Sequence, residues 1–166
     1  MRSRLFRVTL GFVAGAIVLW LSQPTPATVA GGAVVAALGE ALRFWAAGHL
    51  HKSREVTASG PYRWLAHPLY AGSTIMGAGL AIAANSVAVV VLIAVYLSVT
   101  LTAAARSEEA FLRRSFGDRY DRYQQGAIDA ERRFSLAQAM ANREHRALIG
   151  LALAVLLLAL KAARNV

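Results

Sequence analysis

Apolar residues fall along this chain in long blocks, not in the alternation of a half-buried strand, and blocks of that length are what membrane-crossing helices need. The first block covers Val8 to Leu21 and is closed by Pro24 and Pro26. A second, rich in Gly and Ala, runs from Ala27 to Ala47. Leu69 to Ala84 and Val87 to Ala105 follow, parted only by Asn85-Ser86, which predicts a helical hairpin with a tight turn at Asn85. The last block, Ala147 to Ala163, is short, but it spans if the flanking Arg146, Lys161 and Arg164 extend their charged heads to the interface. At ~20 residues per crossing, the pattern predicts an all-α polytopic integral membrane protein with about five transmembrane helices. Gly72, Gly77 and Gly79 leave room for helix backbones to approach closely, as packed membrane helices require.

Polar sequence interrupts the blocks in informative places. Glu40 and Arg43 lie one helical turn apart inside the second block. Isolated charges are costly in hydrocarbon, so this pair faces protein or a water-filled cavity. Residues 48–69 carry His49, His51, Lys52, Arg54 and Glu55, then Ser59-Gly60-Pro61-Tyr62-Arg63, a loop with a turn at Gly60-Pro61. From Arg106 to Tyr123 the spacing of Phe111, Leu112, Phe116, Tyr120 and Tyr123 predicts an amphipathic helix lying on the membrane surface or folded over a site.

Composition agrees with a membrane class: 57% of residues are hydrophobic and 16% charged, where a soluble domain carries roughly 25% charge. The 166 residues allow a single membrane domain, 1–166. The net charge of +9 sits between and beside the apolar blocks, as cytoplasmic loops do, and no basic helix interleaved with stacking aromatics points to nucleic acid. An amino terminus on the inside places Arg2, Arg4, Arg7, the 48–69 loop and the 106–146 segment together on the cytoplasmic side, leaving Lys161 and Arg164 opposite. The first block is read as a retained helix, because no small-x-small cleavage site follows it. The absence of cysteine removes thiolate chemistry and Cys-based metal sites. His49 and His51 lack the further ligands a metal needs and are read as interfacial, so no metal site is expected.

Two constellations at the cytoplasmic ends of the blocks carry chemistry. One is Gly60-Pro61-Tyr62-Arg63-Trp64-Leu65-Ala66-His67-Pro68-Leu69-Tyr70-Ala71-Gly72, and the other is Arg106-Ser107-Glu108-Glu109 followed by Phe116-Gly117-Asp118-Arg119-Tyr120 and Tyr123. A hairpin through Asn85 returns the second to the first. The ordered set resembles the isoprenylcysteine carboxyl methyltransferases and the related membrane phospholipid methyltransferases. Their shared signature is a Gly-Pro-Tyr-type turn, an Arg-His-Pro-x-Tyr-x-Gly segment, a helical hairpin, a Glu-Glu pair and a Phe-Gly-x-x-Tyr-x-x-Tyr tail. The likeness covers about residues 42–123, a methyltransferase-like core, with a C-terminal amphipathic segment and last helix over 124–166. Ala66 departs from it, standing where the family usually has Arg, whose role is either absent or supplied by Arg63.

The resemblance implies S-adenosylmethionine as cofactor and a lipophilic small molecule or lipid as acceptor, with membrane lipids as surroundings. It assigns Val56 and Thr57 to backbone contacts with the cofactor, and Tyr62, His67, Pro68, Leu69, Tyr70 and Gly72 to its pocket. Glu108 then receives the cofactor's positive part. Arg106 suits an anionic substrate group, and Glu109 or His67 suits a base for an amine or hydroxyl acceptor. Two other classes remain open on the residues: a nicotinamide-dependent reductase of the membrane sterol-reductase type, and a non-enzymatic membrane protein with a methyltransferase-like core. Tyr120 and Tyr123 are read as interfacial anchors, and Gly77-Ala78-Gly79, inside an apolar block, as packing and not a dinucleotide loop.

Overall fold

Thr25 and Pro26 show how local sequence starts the bundle. Thr25 accepts from the Thr28 amide while Thr28 accepts in return from the Thr25 amide, and Pro26 fills a first-turn position where its missing N–H costs nothing. The computed structural model describes residues 13–51, 56–125 and 133–164. All their regular structure is helical: α1 (13–21), α2 (Pro26–His49), a 3-10 turn (Gly60–Arg63), α3 (Pro68–Ala84), α4 (Val87–Phe116), α5 (Asp118–Gln124), α6 (Leu136–Ala141) and α7 (Glu144–Arg164). Arg2, Arg4, Arg7, Lys52, Arg54, Glu55 and the start of the first apolar block lie outside the described residues.

Three described helices, α2, α4 and α7, are long and apolar enough to cross a bilayer. α3 is apolar but has 17 residues, about 25 Å at ~1.5 Å per residue, a little short of a hydrocarbon core of ~30 Å. The expected hairpin is present. Asn85 caps α3 in the left-handed conformation (φ 49°, ψ 48°), its side-chain amide donates to the Gln23 carbonyl, and the Gln23 amide donates to the Ala84 carbonyl. α4 departs from the expected boundary at Ala105: it runs on to Phe116, then breaks at Gly117 (φ 44°) before α5. No breaker separates residues 105 and 117, so the loss of hydropathy ends the lipid-facing stretch but not the helix.

α2 and α3 form the tightest pair, and glycine makes it possible. A Cβ at Gly32 would lie 2.4 Å from the Gly79 carbonyl oxygen, and one at Gly39 2.4 Å from the Met76 amide. Gly72 and Gly79 thus face α2, whereas Gly77 faces Leu97 of α4. At the far end α7 joins through Val29, Ala83, Leu158 and Ala162, with Leu19 of α1 packed against them.

Two helix ends are completed by residues far away in sequence. The carbonyls at the end of α2 find partners in the segment leading to α7: Gly48 accepts from the Ser135 amide, Ala47 from Asn142, and Leu50 from Gln138 and Asn142. Phe134 lies over Gly48, where a Cβ would meet its ring at 2.2 Å. At the other end Lys161 reaches the neighbouring helix. Its Nζ donates to the carbonyls of Leu19 (2.6 Å), Trp20 (3.1 Å) and Ser22 (2.7 Å), completing the end of α1. Lys161→Met is expected to destabilise the protein by about 1–3 kcal/mol, because those carbonyls lose their donor. Thermal unfolding in detergent reads this directly, and an unchanged midpoint would show the ammonium to be dispensable.

Candidate active site

The hairpin sets the geometry of the site. His67 lies 18 residues before Asn85 and Glu108 lies 22 after Ser86, which at ~1.5 Å per residue puts both at similar heights on neighbouring helices. His67 occupies the position just before α3 with a non-helical backbone (φ −132°, ψ 67°), and its side chain makes no bond to the helix start. The ring reaches α4 instead. Its Nε2 donates to Glu109 Oε1 at 3.1 Å, and its Nδ1 lies 3.6 Å from Glu108 Oε2. The Tyr70 hydroxyl donates to that same Glu108 oxygen at 2.8 Å, and the Tyr70 ring stacks on the imidazole at a centroid separation of 5.2 Å.

Both imidazole nitrogens face carboxylate oxygens, which only accept, so the arrangement favours the doubly protonated ring. Glu108 first, then Glu109, raises the pKa of His67 above the ordinary imidazole value of 6.5, against an opposing effect of burial. A folded-state value raised above the unfolded one means that the pairing stabilises the fold fully below about pH 6.5. That contribution is lost as pH rises through the raised value. The melting temperature is therefore expected to fall from neutral pH upward, and His67→Gln to flatten that slope. An equal slope in both proteins would remove His67 as its source.

Tyrosines wall the rest. Tyr62, buried on the 3-10 turn, has its phenol pushed up by burial and then by Glu108. The Tyr123 hydroxyl donates to the Tyr62 carbonyl at 2.9 Å, and its own phenol is pushed up to about 12 by burial and by Tyr120 and Glu108. Neutral phenols at working pH serve as walls and donors, not as bases. The cleft between these groups is lined by Leu50, Val56, Thr57, Tyr62, Ala66, His67, Glu108, Leu112, Tyr120 and Tyr123, and holds about 430 Å³ out to its open mouth.

Of the residues expected at the site, Val56, Thr57, Tyr62, His67 and Glu108 line this cleft. Tyr70 and Glu109 touch it indirectly, through Glu108 and His67. Pro68 is buried at the first turn of α3. Leu69 turns its carbonyl to α2, and Gly72 packs there too, where a Cβ would lie 2.7 Å from the Gly39 carbonyl oxygen. Arg106 is exposed on α4 and is not among the lining residues. Ala66, at the departure from the family pattern, lines the cleft. Tyr120 and Tyr123 overturn the interfacial reading: Tyr120 is only 2% exposed, and both face the cleft. His49 is also buried, its Nδ1 on the Trp45 carbonyl and its ring beneath Gly60, where a Cβ would meet it at 2.7 Å. Leu50 gave no sequence signal beyond ordinary hydrophobicity, whereas Leu112 belongs to the apolar positions of the amphipathic stretch expected on the surface or over a site.

The stretch 26–119 matches the family model described as phospholipid methyltransferase. It covers more than half of the 166 residues and contains the first cluster whole and the second as far as Arg119, ending just short of Tyr120 and Tyr123. Neither a search of curated proteins nor one of solved structures returned a match.

Proposed function

We propose that this chain, which belongs to the phospholipid methyltransferase family, transfers a methyl group from S-adenosylmethionine to a lipophilic acceptor that reaches the cleft from the bilayer. The observation that carries this reading is the meeting of His67 with Glu108 and Glu109 over a cleft walled by Tyr62, Tyr120 and Tyr123. Two carboxylates and one imidazolium leave that cluster with a surplus negative charge, and tyrosine faces add further attraction for a cation. A ligand with a sulfonium and an ammonium group fits such a donor set.

When bound, S-adenosylmethionine supplies a methyl group on a cationic sulfur, open to in-line displacement. The protein's share is positioning. Glu108 holds the positive end of the cofactor, with Tyr70 and His67 fixing the carboxylate. Val56 and Thr57 offer backbone groups, and Tyr62 closes the wall. Arg106, on the exposed face of α4 outside the cleft lining, is left for an anionic acceptor group at the cleft's outer edge, and Glu109 accepts the proton when the acceptor is an amine or hydroxyl. We further place the cleft on the cytoplasmic side of the cytoplasmic membrane, in a single domain whose methyltransferase core spans about residues 42–123. Five crossings, counting α1 and α3, bring the basic segments to that side.

The test is methyl transfer by the purified protein in lipid nanodiscs, given labelled S-adenosylmethionine and a panel of lipid extracts. Label in the lipid phase, lost in His67→Ala together with S-adenosylhomocysteine binding, is the expected result. Saturable binding of a reduced nicotinamide with none of the methyl donor would overturn the reading.

A further inference from the structure

Behind the first turn of α3 lies a charged cluster that the proposed chemistry does not use. Arg43 of α2 has its Nε 2.7 Å from Glu144 Oε1, at the start of α7, and 3.4 Å from Glu40 Oε2, one turn back on its own helix. Glu40 and Glu144 are only 4% and 5% exposed. The pairing of Glu40 with Arg43 was legible from their spacing, but the second carboxylate, a hundred residues on, was not. The Arg43 Nη1 donates to Ser73 Oγ and, at a long 3.5 Å, to the Leu69 carbonyl. The stem of Arg43 rests on Gly72, where a Cβ would lie 2.6 Å from its Cγ.

A guanidinium is a rigid planar fork, and here two buried carboxylates flank its Nε. Its Nη1 is directed at one strip of α3, on Leu69 and Ser73, with Gly72 of the same strip against the stem. That strip is the back of the turn whose front carries His67 and Tyr70. The start of α3 has no side-chain cap of its own, and Arg43 supplies it with a side-chain contact from α2 beside the glycine packing at Gly72.

We infer that Arg43, locked by Glu40 and Glu144, is a positioning residue for the candidate site, setting the rotation of α3's first turn so that His67 and Tyr70 meet Glu109 and Glu108. The role assigned to the site rests on the methyl-transfer reading; the coupling of Arg43 to His67 does not. The groups facing His67 are Glu108 and Glu109 of α4 and Tyr70 of α3, so the titration of His67 reports how well the turn is placed.

The experiment follows the His67 ring by NMR across pH in full-length, histidine-labelled protein in nanodiscs, with the signal assigned by its loss in His67→Gln. Arg43→Met is expected to lower the His67 pKa by about one pH unit as the carboxylates move out of register. Ser73→Ala is expected to lower it less, and Arg43→Lys to recover part of the wild-type value. If Arg43→Met does not fold, replacing the cluster whole (Arg43→Met, Glu40→Gln, Glu144→Gln) removes the charges together and leaves none buried alone. An unchanged His67 titration in that protein and in Ser73→Ala overturns the inference. S-adenosylhomocysteine affinity is measured separately. A wild-type protein that binds none, with a titration that still responds to Arg43, ends the methyl-transfer reading and keeps the positioning role.

Discussion

Glu108→Ala is expected to weaken S-adenosylhomocysteine binding by roughly 10- to 150-fold, the equivalent of one charge-assisted contact of about 1.5–3 kcal/mol. One oxygen of this carboxylate carries two obligations: it accepts from Tyr70 at 2.8 Å and lies 3.6 Å from His67 Nδ1. Removing it takes away a negative charge from the cleft and leaves the tyrosine hydroxyl and the imidazole to reorganise. Glu108→Gln keeps an acceptor for Tyr70 but not the charge, so it should fall between alanine and wild type. Titration calorimetry ranks the three. Equal affinities would show that the carboxylate contributes geometry to the bundle and nothing to the ligand.

Gly79→Leu should be the most damaging single change to the fold. A Cβ at this position would lie 2.3 Å from the Ala36 amide nitrogen and 2.6 Å from the Gly32 carbonyl oxygen. Both are backbone atoms of a helix, so nothing there can turn aside, and α2 and α3 must separate. Overpacking costs about 1–3 kcal/mol where side chains yield and more where they cannot; at a few degrees per kcal/mol, a drop of at least ~10 °C in melting temperature is expected. Two other glycines provide the scale. A Cβ at Gly77 meets the Leu97 Cδ1, the end of a flexible side chain, so Gly77→Ala should cost much less. Gly150 has nothing within 4 Å, so Gly150→Ala should be neutral or slightly stabilising. Similar melting points for all three variants would refute close α2–α3 packing as a source of stability.

What the sequence makes legible, and what it hides, divides along physical lines. The Asn85 hairpin is readable because one polar dipeptide parts two apolar blocks. The meeting of His67 with Glu108 follows from it, since the arms of a hairpin return to the same level. Close packing at Gly72 and Gly79 is readable from their small size. The end of α4 is not, because hydropathy reports contact with lipid and falls at Arg106, whereas the helix needs a breaker and finds none before Gly117. The partners of Lys161 are hidden for a related reason: a cation at the end of an apolar block shows its place in sequence, and only the fold reveals the open carbonyls of α1 beside it. Tyr120 and Tyr123 follow the same logic, having the residue type of a membrane-interface belt but the burial of a cleft wall. The segment over residues 133–142, whose Ser135, Gln138 and Asn142 complete the end of α2, carries no local signal of its long-range partners.

The most direct test is an experimental structure of the protein with S-adenosylhomocysteine. The ligand is expected between Tyr62, His67 and Glu108, with its amino group toward the carboxylate of residue 108 and residues 56 and 57 beside it. Ligand seated elsewhere, with this cleft collapsed or filled by side chains, would contradict the assignment.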